Sequence, residues 1–146
     1  MDHVAIMRKS MGLLPKIING EKTIESRWST RRNEPWRKVK TGDKIYFKNS
    51  GEKVSAVAEV NYIKIFQSNP KYTWHVLTNR KDTIKKLGVE DLNVFYGSVK
   101  DKKWGGLFGL KNVRRVKPFQ INKRGFGNMA AWISLDNIKK IAILRT

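Results

Sequence analysis

The octad Gly20-Glu21-Lys22-Thr23-Ile24-Glu25-Ser26-Arg27 sets glycine, lysine, glutamate and arginine in a G-x-K-x-x-E-x-R spacing. It follows the segment Ser10 to Asn19, in which Met11, Leu14, Ile17 and Ile18 fall on one helical face and Pro15 lies close enough to the start to be tolerated. Gly20 stands where a helix C-terminal cap is expected, so the octad begins where this helix stops. The β-type residues from Thr23 to Trp28 predict a strand, along which successive side chains point to opposite faces. Glu25 and Arg27 then share one face and Ile24 and Ser26 the other, while Lys22, at the turn, is free of that parity.

Outward from the octad, Val4 to Met7 reads as a first strand, and Ser29 to Lys40, polar, basic and containing Pro35, as a loop or a single helical turn. Thr41-Gly42-Asp43 is a turn signal. The strand Lys44 to Lys48, a second turn at Asn49-Ser50-Gly51-Glu52 and a long strand from Val54 to about Phe66 make a β-hairpin with an apolar face. Pro70 breaks the chain, Tyr72 to Leu87 reads as a pair of short helical segments closed by Gly88, and Val89 to Val99 as a helical turn followed by an extended piece around Tyr96 to Val99. Lys103 to Leu110 predicts a strand whose Gly105, Gly106 and Gly109 suit a barrel corner or a close backbone approach. Val113 to Val116 belongs with it, and Pro118 is expected to end it. A flexible loop from Asn122 to Met129 and a final strand from Ile138 to Leu144 complete the chain. Many short strands with few helices predict a mixed α+β, mainly β fold, a small closed or nearly closed sheet.

A chain of 146 residues with 40% hydrophobic content fits one domain, residues 1–146, with a core that needs no covalent staple. There is no cysteine, which excludes disulfides and thiolate chemistry. His3 and His75 are isolated and lack the short regular spacing of metal sites, so neither a metal nor another cofactor is expected. The apolar run Val4 to Met7 is too short, and Arg8 and Lys9 follow too closely, for a secretory signal or a membrane span; a cytoplasmic protein is expected.

Lysine and arginine number 31 against 12 acidic residues, a net charge of +19. So large an excess repels itself unless something anionic shares the surface, and polyphosphate partners gain affinity by releasing counterions. RNA is the expected partner, with a merely solvated cationic surface as the plain alternative. Membrane binding is not expected, because no long amphipathic helix carries a bulky apolar face. Two stretches concentrate the charge. Arg31, Arg32 and Arg37 lie with Trp28 and Trp36 in the first, and Lys102, Lys103, Arg114, Arg115, Lys123 and Arg124 with Trp104, Phe108 and Phe119 in the second. Phe126, in the loop that follows, is a further candidate to stack on a base. Interleaved cations and aromatics suit single-stranded nucleic acid, whose bases stack while its phosphates pair with Lys and Arg. Any single tryptophan in a small β domain is nonetheless more often core than surface.

Taken with Lys40-Thr41-Gly42-Asp43-Lys44-Ile45, the order of helix, G-x-K-x-x-E-x-R strand, T-G-D turn and strand resembles the ASCH domain of the PUA-like superfamily, over about Val4 to Val60. The resemblance implies a PUA-like small β-barrel with short flanking helices. It also implies a cleft beside the barrel that takes nucleic acid or nucleotides, lined by Gly20, Lys22, Glu25 and Arg27. Thr23 and Trp28, within and beside the octad, are further ligand-binding candidates, and Asn128 and Trp132 are candidates to complete the cleft only by their place in the sequence, next to the loop Lys123 to Met129. In such a cleft Lys22 offers a point charge and Arg27 a planar fork for a phosphate. Glu25 can accept a hydrogen bond from an exocyclic amine or act as a general base. A structural cross-strand pair of Glu25 with Arg27 is the alternative.

Some small ASCH proteins that resemble this chain in the octad are amidohydrolases that deacylate modified cytidine, using a lysine, a threonine and a glutamate. The lysine matches Lys22. Glu25 stands where the threonine would be, and Tyr72 to Leu87 offers only Asp82 for the glutamate. Other ASCH proteins are ribonucleases, for which Lys22 and Glu25 would be the catalytic candidates and Arg27 the stabiliser of a phosphorane. The leading expectation is an RNA-binding module; the alternatives are a hydrolase acting on RNA or a modified nucleoside, and a basic protein-interaction domain in a translation or transcription assembly.

Overall fold

Period-two alternation places Val4 and Ala5, Ile24 and Glu25, and Leu107 and Phe108 on opposite sides of their strands, and the fold follows from burying both sides. The computed structural model describes residues 1–127 and 129–143. Strands Asp2–Met7 (β1), Ile24–Ser29 (β2), Lys44–Asn49 (β3), Val54–Gln67 (β4), Trp104–Ile121 (β5), Trp132–Leu135 (β6) and Ala142–Ile143 (β7) form a sheet in the order β2-β5-β4-β3-β1-β6, with β7 on β5. Among the described residues only the β1–β3 pairing is parallel. The sheet curls into a half-barrel flanked by short helices, a mixed α+β fold dominated by strand, as expected.

Inside the curl lie Ala5, Ile45, Phe47, Ala56, Ala58, Val60, Phe108 and Trp132, joined by Trp36 and by Leu14 and Ile17 of the helix Leu13–Ile18 (α1). Each fully buried Phe or Ile here contributes about 1.5–3 kcal/mol relative to exposure. Helices Pro70–Thr78 (α2), Thr83–Lys86 (α3) and Leu92–Val99 (α4) cover the outer side of β2 and β5, burying Val76, Leu77, Leu87 and Val99 against Ile24 and Leu107. A third cluster, Val4, Ile133, Leu135, Ile138 and Ile141, lies on the outer side of β1 and β6. No helix among the described residues is long and apolar enough to cross a membrane.

Several local expectations give way to longer-range packing. The helix expected over Ser10 to Asn19 is a 3-10 turn, Lys9–Met11, followed by α1. The ring of Pro15 clashes with a helical carbonyl four residues earlier, at Met11, so the α-helix starts later and Met11 is exposed. Residues Tyr96 to Val99 are helical rather than extended, because the Asp91 carboxylate accepts from Val94 N and caps α4. Pro118 does not end β5. Its pairing with β4 slips between Arg115 and Phe119, and Pro118 sits in that irregularity, where no ladder amide is required. β6 is absent from the sequence reading. Of the expected final strand only Ala142–Ile143 forms, after a 3-10 turn at Ile138–Lys140, and Leu144 lies outside the described residues.

The glycines of β5 are a packing device. Gly109 pairs directly with Tyr62 and Gly105 with Phe66, each aromatic ring covering its glycine. A Cβ on Gly106 would lie 2.9 Å from the rings of both Phe108 and Trp36.

His3 is fully buried, its Nε2 2.8 Å from Asp43 Oδ2 and its Nδ1 2.8 Å from Ser134 Oγ. Trp132 Nε1 donates to Nδ1 at 3.3 Å, which makes Nε2 the protonated nitrogen that donates to Asp43. Ser, His and Asp thus line up, yet Ser134 also bonds the Pro35 carbonyl and the imidazole has no open face, so the group is structural. Asp43 further accepts from Lys40 N and the N-terminal amine, tying the T-G-D turn to β1. Burial lowers the His3 pKa, against the opposing pull of Asp43.

The sign of that shift fixes a pH dependence. The unfolded chain binds the His3 proton more readily than the fold does, so the contribution is whole above the ordinary histidine value of 6.5 and is lost as pH falls through it towards the folded value. Urea midpoints should hold level above about pH 7 and drop as pH falls below about 6.5, and His3→Gln should flatten that drop. Gly106→Ala should lower unfolding free energy by about 1–3 kcal/mol, read from denaturant titration, because the added methyl displaces Trp36 or Phe108.

Candidate functional site

The octad is placed by the turn that ends α1. Gly20 adopts a left-handed conformation with its amide on the Ile17 carbonyl, the expected cap, and is exposed. Lys22 N bonds Lys16 O, which turns the lysine side chain inward, where it is 2% exposed. Its Nζ donates to Ile24 O and Leu87 O, both at 2.7 Å, and lies 3.8 Å from Glu25 Oε1. Two ammonium protons are thus hydrogen-bonded to main-chain carbonyls, and the Glu25 carboxylate stands at ion-pair distance. Gly88, at φ 75° and where an added Cβ would lie 3.2 Å from the Lys22 stem, supplies the backbone bend that brings the Leu87 carbonyl within reach. Burial pushes the Lys22 pKa down, with Arg27 and Lys16 adding to it and Glu25 opposing.

Glu25 and Arg27 occupy the inner face of β2, as alternation predicts, opposite Phe108 and Gly106 of β5. Glu25 is 3% exposed and its Oε1 accepts from Ser26 N at 2.8 Å. Its Oε2 lies 3.9 Å from Arg27 Nη2 but makes no hydrogen bond, and buried Arg27 Nε also makes none. Arg27 reaches across the open seam of the half-barrel. Nη1 and Nη2 make long bonds to Ala131 O at 3.3 Å and Ile6 O at 3.5 Å, and the guanidinium sits 5.0 Å from the centre of the Trp132 ring.

The other expected residues divide. Thr23 uses its backbone, donating to Lys86 O and accepting from Leu110 N, to tie β2 to α3 and β5. Trp28 lies on the opposite face of β2 from Glu25, edge-on to Phe66 and Phe95 and bonded to Ser26 Oγ. Trp36 is 3% exposed in the inner core against Phe108, so it offers no face to a base. Trp132, expected to complete the cleft, is in contact with Arg27; Asn128 lies outside the described residues. Asp82 is exposed and paired with Lys86 at 3.0 Å rather than placed with Lys22.

Arg31 and Arg32 are exposed after β2, and Lys103 N bonds Ser29 O, which brings Lys102 and Lys103 to the same end of the molecule. Arg114 and Arg115 are exposed ten or more residues along β5, about 30 Å of strand from Trp104 if fully extended. Phe126 is exposed in the loop after β5, Arg124 is exposed beside it, and Lys123 Nζ donates to Ala130 O, next to the Ala131 carbonyl held by Arg27. Sequence reasoning missed the part played by Ile6, Leu87 and Ala131, which act through backbone carbonyls and carry no side-chain signal.

Removing the Lys22 charge leaves a buried carboxylate and two carbonyls unsatisfied. Lys22→Met should therefore cost about 3–5 kcal/mol in denaturant unfolding, and Glu25→Gln less.

The sequence matches no family model and none of the curated proteins. Among solved structures the chain is similar to the ASCH protein of Zymomonas mobilis, with TM-score 0.64 and 14% identity over 95% of this chain and 90% of that one. A tyrosine-to-phenylalanine variant of that protein gives TM-score 0.64 and 15% identity over 95% and 93%. A hypothetical protein gives TM-score 0.50 and 17% identity over 80% of this chain and 100% of that one. Likeness at such low identity speaks to the backbone path, and over this coverage the conclusion is plain: the chain is built on the ASCH domain fold.

Proposed function

We propose that the protein is a binding module for single-stranded RNA, its cationic surface holding phosphates while the Glu25–Arg27 rung at the barrel seam reads a base. The observation that carries this reading is cation excess left unneutralised by the fold. Lys9, Lys16, Lys22, Arg27, Lys86 and Lys140 each have a carboxylate within 4.0 Å. Arg31, Arg32, Lys103, Arg114, Arg115 and Lys117 are exposed without one. A polyphosphate chain supplies the missing charge and releases its counterions in doing so.

The seam adds a reading head. Glu25 Oε2 is an acceptor and Arg27 Nε a donor, both lacking a hydrogen bond. With the two side chains in contact, Nη2 to Oε2 at 3.9 Å, an acceptor and a donor of this kind complement a base edge that carries an amine next to a ring-nitrogen acceptor, as cytosine and adenine do. Arg27 closes over this edge with long bonds, so a ligand can displace it at little cost.

A second reading, as a hydrolase, draws on Lys22, whose depressed pKa is a feature of catalytic lysines. Its two carbonyl bonds and the Glu25 carboxylate hold the protonated form in place, which suits a structural ammonium better than a free base.

Fluorescence polarisation of a labelled single-stranded RNA, at several salt concentrations and with the RNA checked for cleavage, tests the proposal. Affinity should fall linearly on a log–log plot with salt, by about 0.7 per phosphate contact, and Glu25→Gln should weaken a cytosine- or adenine-rich RNA about tenfold while leaving a uridine-rich one unchanged. No binding at low salt would sink the proposal in favour of an acidic protein partner. Cleavage that disappears in Glu25→Gln would make the protein a hydrolase.

A further inference from the structure

The rung of the inner face next to Arg27 carries a second cationic cluster with a different construction. Ser29 pairs with Trp104, two rungs beyond the Arg27–Gly106 pair and so on the same face. Trp104 is partly buried and its ring is covered by two guanidiniums, that of Arg37 at 4.7 Å from the ring centre and that of Arg32 at 5.6 Å. Neither arginine has a carboxylate within 4.0 Å among the described residues, and buried Arg37 Nη1 makes no hydrogen bond. Two like charges on one indole repel each other, and stacking by itself returns only about 0.5–2 kcal/mol to each. Ser68, Asn69, Lys100, Lys102 and Lys103 line a concavity of about 370 Å³ beside the Trp104 end of β5, with Asp101 the one acid on its wall. That volume is within the range of small-ligand sites.

We infer that the Arg32–Trp104–Arg37 cluster is the phosphate-gripping site for single-stranded RNA, with Lys102 and Lys103 extending the backbone path away from the barrel seam. This rests on the RNA-binding reading above. A guanidinium lying over an indole spends its face on the ring and keeps its N–H edge for a bidentate bond to a phosphate. A phosphodiester relieves the repulsion between the two arginines, and the adjoining base finds the partly exposed indole edge and the lysine-lined concavity. An acidic peptide would neutralise the charge but leave the aromatic surface unused. The β2–β5 ladder holds Trp104 in place, so the site is formed before binding. Arg114 and Arg115, at the other end of β5, have no such aromatic support and lie outside the path.

The test uses the full chain and an oligouridylate of about ten nucleotides, which keeps base reading at Glu25 out of the measurement. Arg32→Ala and Arg37→Ala should each weaken binding about tenfold and lower the log–log salt slope by about 0.7, while Arg114→Ala with Arg115→Ala leaves affinity within about twofold. Arg37→Lys should fall with the alanine variant, since a lysine keeps the charge and loses the stacked fork. Arg32 is exposed, so its variant isolates the claim even where an Arg37 change perturbs folding, which thermal melting reports. Wild-type binding with unaltered slopes in both arginine variants, or losses confined to the Arg114 and Arg115 pair, overturns the inference and spares the RNA-binding reading. Absence of wild-type binding overturns both. Full affinity in Arg37→Lys overturns the stacked-fork geometry.

Discussion

A buried ammonium must find hydrogen-bond acceptors and a counter-charge, and the way Lys22 does so organises the octad. One acceptor comes from the strand it precedes, Ile24 O, one from the end of α3, Leu87 O, and the charge partner from Glu25. An uncompensated charge at this depth would cost several kcal/mol, so the geometry of all three elements is constrained together. The tie joins the barrel to its helical layer. It also fixes Glu25 beside β5, and through Glu25 it sets where Arg27 leaves the strand to bridge the seam.

That seam gives the half-barrel its chemistry. An open sheet has two edges, here β2 and β6, and Arg27 bonds carbonyls on the far side at Ile6 and Ala131. Its bonds are long and its Nε makes no hydrogen bond, in contrast to the two short carbonyl bonds of Lys22. One cation is therefore part of the scaffold and the other is poised to exchange partners. Neighbouring residues of one motif thus serve different ends. The lysine that most resembles a catalytic residue in the sequence is the one the fold employs most fully.

The surface charge is organised by the length of β5. Its start lies beside Arg31, Arg32 and Arg37, while its distal half carries Arg114, Arg115 and Lys117 on another part of the molecule. A stretch that is continuous along the chain is thereby split in space, and two stretches distant in the chain are joined. The aromatics follow a similar rule. Trp36 and Phe108 sink into the core, and Trp104 stays at the rim beneath its arginines.

Much of the fold was legible because its signals are local. Gly20 and Gly88 mark helix ends, Thr41-Gly42-Asp43 marks a turn, and alternation along β2 places Glu25 with Arg27. The Asp91 cap of α4 was also present and was outweighed by the strand-forming character of Phe95, Tyr96 and Val99. β6 had no comparable signal, since four residues make a strand only when β1, some 130 positions away in the sequence, offers its edge. The sequence by itself determined net charge, local turns, and which side chains share a face, because these depend on composition and on backbone periods of two and 3.6 residues. Only tertiary structure decided that Lys22 is held by main-chain carbonyls, that Trp36 is core and Trp104 is rim, and that Arg32 and Arg37 meet on one indole. Those outcomes depend on which distant backbone groups packing brings within about 3 Å, and no local pattern of residues encodes that distance.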